Sequence, residues 1–235
     1  GSVTAENVKT TLSSLDFAAT WAIGNDNTPV LQWAADMDFD ASWYDETATT
    51  YTLSTKEEVY GFAYLNSLGV TFEGKTIELA ADVTLNDGTV ATWKDNSYAN
   101  LKTWTPIVGF AGTFDGKNHS IKGVYVNYTD LGAGFFRNTV SGSTIKNLKL
   151  ENSYITSNKN IVGSVVGSCG GNMENVYSSA TIDANTNYVG GIVGQVFGTG
   201  NVNIKKCWYA GTLNAQSNAA GIVGVVCKGT LVIEN

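Results

Sequence analysis

Arginine and histidine are almost missing: the 235-residue chain holds one of each, Arg137 and His119. Their scarcity removes most bidentate clamps for anionic groups and most side chains that shuttle protons near neutral pH. A formal charge of -7 and a pI near 4.6 go further. A phosphate backbone or an anionic membrane surface needs clustered Lys and Arg, so nucleic acid is not an expected partner. The three cysteines, Cys169, Cys207 and Cys227, form no CxxC pair. They give neither a disulfide framework nor a zinc site, and each reads as a small apolar residue among aliphatics and glycines. No apolar run approaches the ~20 residues needed to span a bilayer, and no signal peptide opens the chain. The leading Gly1-Ser2 has the look of a cloning scar, which leaves a signal or wall anchor to lie outside this sequence. No cofactor is implied.

Glycine, by contrast, is abundant and ordered. "IVGSVVGSCGG" (161–171), "YVGGIVGQVFG" (188–198) and "AAGIVGVVCKG" (219–229) repeat one another, with a frayed copy, "GAGFFRNTVSG", at 132–142. Gly167, Gly194 and Gly224 stand 27 and 30 residues apart, a solenoid period. A second series keeps step: "IKGVYV" (121–126), "IKNLKL" (145–150), "MENVYS" (173–178) and "IKKCWY" (204–209), with a last "IEN" at 233–235. Its corner column reads Gly123, Asn147, Asn175, Lys206, and glycine and asparagine tolerate a left-handed backbone where a strand bends. The next column, Val124, Leu148, Val176, Cys207, is apolar and faces inward. Its neighbour, Tyr125, Lys149, Tyr177, Trp208, faces outward by strand alternation. The pattern predicts an all-β chain, a right-handed parallel β-helix with ~3 strands per coil and rungs ~4.8 Å apart. In that frame the glycines let the chain turn and let coils stack closely, and Ile192, Val193, Ile222 and Val223 pack inside or against a face.

With 43% hydrophobic residues a sizeable core is possible. Ahead of the coils, "LSTKEEVYGFAYLNSLG" predicts a helix over about 54–68. Ser54 or Thr55 is the N-cap, Thr55 and Glu58 have capping-box spacing, and Gly69 ends it. Its apolar stripe suits a plug for the open end of the first coil. "GTFDGKNHSIKG" (112–123) reads as a turn into the repeats.

These segments resemble the GLUG-motif parallel β-helix modules of large secreted or wall-attached bacterial surface proteins. The resemblance rests on "TLSTKEEVYGFAYLNSLGVTFEGKTIELAADVTL", "WTPIVGFAGTFDGKNHSIKGVYV", "GFFRN" and the three glycine repeats, and covers about 51–235. It implies an extracellular module, usually not the catalytic part of its protein, in the company of adhesins and immunoglobulin-cleaving metallopeptidases. "LDFAATWAIGNDNTPVLQW" (15–33), with Trp21, Pro29, Val30 and Leu31, resembles the closing segment of such a module. The expected organisation is then a closing segment at 1–33, an acidic junction at 34–50, and a module at 51–235 with coils from about 105, a slice from a tandem array.

Candidate sites are few. Asp36, Asp38 and Asp40 have the alternate spacing of a calcium loop but lack its turn glycine, so an acidic solvated linker is the plainer reading. Asp115 and His119 form an acid–base pair on paper but fall in the structural turn. A lyase or glycosidase on this fold needs clustered carboxylates, and Asp82, Asp87, Asp95, Asp130, Glu151, Glu174 and Asp183 are scattered. Aromatics are the better lead: Tyr125, Tyr177 and Trp208 in one outward column, and Trp93 and Tyr98 in the polar insertion at 86–104. Such rings anchor a protein partner, stack on a sugar, or only stabilise the ladder. The expectation is a non-enzymatic, adhesin-like binding module, with a host protein such as immunoglobulin as partner by family company. A host-glycan-binding module and a structural spacer are the alternatives.

Overall fold

A computed structural model describes residues 21–23, 29–31 and 39–234. The strands Trp21–Ile23 and Pro29–Leu31 pair antiparallel. The rest of the proposed closing segment, and Asp36 and Asp38 with it, lie outside the described residues. From Thr50 onward the chain winds into stacked parallel coils, a β-solenoid of about six turns.

One coil shows how. Thr144–Glu151 runs along the first side and bends at Asn147 (φ 52°). A second corner at Asn152 (φ 44°) leads into Tyr154–Ser157, then Val162–Gly163 and Val166–Cys169, and Asn172 starts the next coil. Each strand lies on its counterpart one coil away: Ile145 on Met173, Ile155 on Ile182, Val162 on Val189, Val166 on Val193. One inward ladder runs almost the length of the described solenoid, Tyr51, Ile77, Phe114, Ile145, Met173, Ile204, Ile233. All but the last are buried. Each such burial contributes roughly 1.5–3 kcal/mol.

The corner column holds. Asn147, Asn175 and Lys206 all have positive φ, at 52°, 53° and 49°. Asn118 (φ 67°) stacks with them, and the Asn175 Nδ2 donates to Oδ1 of both Asn118 and Asn147 at 3.0 Å. Gly123 is displaced from the expected register. It sits level with Asn152, whose carbonyl accepts its N–H at 3.2 Å, because the coil from Thr144 has left-handed corners at both Asn147 and Asn152, and each follows an apolar–charged pair. Val124 and Tyr125 move with it, so Tyr125 stacks on Tyr154 and not below Lys149.

The repeat glycines serve close approach. A Cβ on Gly190 would lie 1.8 Å from the Val193 carbonyl oxygen and 2.8 Å from the Gly224 nitrogen in the next coil. One on Gly163 would lie 2.3 Å from the Val166 oxygen and 2.6 Å from the Gly194 nitrogen. Neither residue has positive φ.

The helix α1 (Lys56–Ser67) starts at Thr55, whose side chain accepts from the Glu58 N–H at 3.2 Å while Glu58 accepts from the Thr55 N–H at 3.0 Å. Its Phe62 meets Phe72, Phe110, Phe114 and Phe136, so the helix joins the solenoid interior. The crossing segment at Asp40 lies tight on Gly61, where a Cβ would come within 1.9 Å of the Asp40 oxygen.

Candidate functional site

The five aromatics singled out from the sequence separate into two groups. In the insertion, a short helix α2 (Val90–Asp95) is capped by Thr89 and turns Trp93 inward. Trp93 is buried, and its Nε1 donates to the Asp87 carbonyl at 2.7 Å. The expectation of an exposed Trp93 is thereby corrected: a six-residue helix (Val90–Asp95) over the solenoid wall gives the indole an apolar seat.

Tyr125 is corrected in the same way. It is buried beside Tyr154, 6.2 Å between ring centroids, and half-buried Tyr98 stacks over both at 5.7 and 4.8 Å. This layer seals the insertion onto the wall. Asn86 fixes the insertion's two ends: its Nδ2 donates to the Lys102 and Gly123 carbonyls, and its Oδ1 accepts from the Lys102 N–H. Tyr154 was missed by sequence reasoning. Aligning its "NSY" on the second corner, with Asn152 level with Gly123, is the signal that finds it.

Tyr177 and Trp208 are different. They are direct rung partners, with ring centroids 5.5 Å apart and tilted by 51°. Tyr177 is half-buried, and Trp208 is 50% exposed. Lys149 occupies the rung next to Tyr177, so the column presents ammonium, phenol and indole in order. The corner residues Asn175 and Lys206, two positions before each ring, fix its direction through their left-handed backbone. Trp104 and Pro106 are buried; Trp104 stacks on Phe135 at 4.4 Å.

The titratable groups are held by structural partners. Burial opposes ionisation of Asp115, yet the Asn147 amide, the Lys117 N–H and the Lys146 ammonium together hold its carboxyl below the usual aspartate range. His119 Nδ1 faces Asp82 at 3.4 Å. Asp82 is lowered chiefly by the Ser120 N–H, with Lys122 adding to it. The turn therefore directs Asp115 and His119 to separate partners. Asp40, the described member of the acidic triplet, accepts from the Ser42 N–H at 2.8 Å and is lowered by Ser42. Among the described residues, no three His, Cys, Asp or Glu side chains gather as a metal site. Cys169 and Cys207 are buried, and burial pushes both thiols up to about 11. Cys227 departs from the expected packing: it is exposed on the last described rung.

The geometry thus offers a β-wall on which Tyr177 and Trp208 form a surface aromatic pair. Comparison with known proteins adds little chemistry to this. No family profile and no solved structure matches the chain. A stretch of 84 residues, 35% of the chain, is 37% identical to halomucin of Haloquadratum walsbyi (strain DSM 16790 / HBSQ001), of which it covers 1%.

Proposed function

We propose that the chain is a non-catalytic binding module of an extracellular surface protein, and that it docks a partner protein through the Tyr177–Trp208 pair. The observation that carries this is the exposed indole of Trp208, seated on the rung beside Tyr177, with Lys149 on the rung beyond the tyrosine. Tryptophan and tyrosine on a rigid surface are the residue types that dominate interface hot spots, because they bring large area with few rotamers to freeze. The partial likeness to halomucin, a mucin by name, supports an extracellular setting, as does the resemblance to GLUG-motif surface modules. The engagement of Asp115 and His119 by structural partners supports a non-catalytic role.

A host protein such as immunoglobulin is the first partner to try. Polyclonal human immunoglobulin is titrated over the immobilised protein and over Trp208→Ala. The reading predicts saturable binding that weakens at least ~10-fold in the variant, about 1.4 kcal/mol. Binding unchanged by the substitution removes the pair from the site. No binding removes immunoglobulin as the partner.

A further inference from the structure

A second surface carries chemistry of another kind. At the far end of the third side of the coil, three successive rungs contribute Asn127, Tyr128 and Thr129, then Thr156, Ser157 and Asn158, then Asp183 and Asn185 to one open groove of about 280 Å³. Two outward columns form its banks, Asn127–Thr156–Asp183 and Thr129–Asn158–Asn185, with Ser157 and Tyr128 between them.

We propose that this groove binds a neutral disaccharide. Many of the solenoid's asparagine amides are committed to the fold: Asn118, Asn147 and Asn175 tie a corner, Asn86 ties the insertion, and Asn203 bonds to Asn172. In the groove, the side chains of Asn127, Asn158 and Asn185 are exposed and bond to no other described residue. Asp183, by contrast, is oriented, as is Ser157, whose Oγ accepts from the Lys159 N–H at 3.1 Å. The Tyr154 hydroxyl donates to the Asp183 Oδ2 at 3.1 Å, leaving the other carboxylate oxygen for a ligand. Arg137 lies over the Tyr128 ring, 6.0 Å from its centroid, and steadies that aromatic at the groove edge.

Vicinal sugar hydroxyls are matched by planar amides and carboxylates that offer two polar atoms at once, and an aromatic edge accepts the C–H face of the ring. Rungs ~4.8 Å apart repeat at about the length of one pyranose, so three rungs span a disaccharide. The volume lies just under the range of small-molecule sites, ~300–1,000 Å³, which also favours a short saccharide. Charge selects within the class. Asp183 is the only ionised side chain lining the groove, and the chain carries -7 overall, which disfavours sialylated or sulfated sugars.

The test is saturation-transfer NMR on the intact chain with lactose, cellobiose, maltose, mannobiose and chitobiose as neutral probes. Sialyllactose and a heparin disaccharide are the anionic ones. The expected result is transfer to at least one neutral probe, reduced at least tenfold in Asp183→Ala and in Asn158→Ala, two exposed positions, and unchanged in Trp208→Ala. Transfer to no neutral probe, transfer to anionic probes alone, or a signal that survives both groove substitutions overturns the proposal. So does a signal lost with Trp208, which would move the sugar to the aromatic pair. The immunoglobulin titration is independent of all of these.

Discussion

Two glycines and one carboxylate show how little freedom single positions have. Gly190→Ala would drive a methyl group into the Val193 carbonyl and the next coil, and Gly61→Ala would do the same at Asp40. Overpacking against backbone costs ~1–3 kcal/mol or more, so both variants should unfold at lower urea than the parent, without change in the slope of the transition. Gly200→Ala, where a Cβ meets nothing within 4 Å, is the matched control. Asp115 sets an acid limb. Its folded carboxyl lies below the unfolded value of 3.8, so its stabilisation is present above that value and is lost as pH falls through the folded one. Urea melts below pH 4 should therefore decline less steeply in Asp115→Asn than in the parent. At this scale the sequence was readable wherever a residue type answers a backbone demand. Asn147 and Asn175 are legible from the corner column; Lys206, the exception in that column by residue type, takes the same left-handed backbone through its place in the register. Cys227 was not legible, because its neighbours are aliphatic in sequence whereas the rung it stands on is exposed.

Elements were legible where signals are local. The capping box of α1 needs only residues three apart, and Thr55 and Glu58 make both of its bonds. Thr55→Ala should lower stability by about 1 kcal/mol, read from thermal melts, and Thr55→Ser should restore most of it. The insertion was misread because its partners are distant in sequence. Tyr98 meets Tyr125 and Tyr154 only after the chain has closed a coil, and the two left-handed corners at Asn147 and Asn152 make "IKG" and "IKN" look equivalent. Trp93 belongs to the same layer through its burial against the wall. Trp93→Ala should loosen 86–104 and the layer it shares with Tyr125 and Tyr154, seen as faster amide exchange there with the coils beyond Val189 unaffected.

Over the whole molecule, stacking turns a one-dimensional repeat into surfaces of distinct character. One outward column alternates in charge over its last rungs, Asp115, Lys146, Glu174, Lys205, Glu234, with ion pairs of 3.4 Å at Asp115–Lys146 and 3.0 Å at Lys205–Glu234. The exposed Lys205–Glu234 pair contributes little energy, but a slip by one coil would set like charges opposite one another along the column, so the alternation favours a single register. The period of 27 to 30 residues revealed the solenoid directly. The separation of aromatics into a buried layer and a surface pair depended on register, which the period alone does not fix.

That separation is the centre of the account, and one measurement addresses it. Human serum and mucosal secretion are passed over three immobilised forms, the parent, Tyr177→Ala/Trp208→Ala and Asp183→Ala, each first shown to melt like the parent, and retained proteins are quantified at physiological salt. The account predicts a protein retained by the parent and by Asp183→Ala, and at least tenfold depleted on the aromatic double variant. Equal retention on all three forms, or none on the parent, would contradict it.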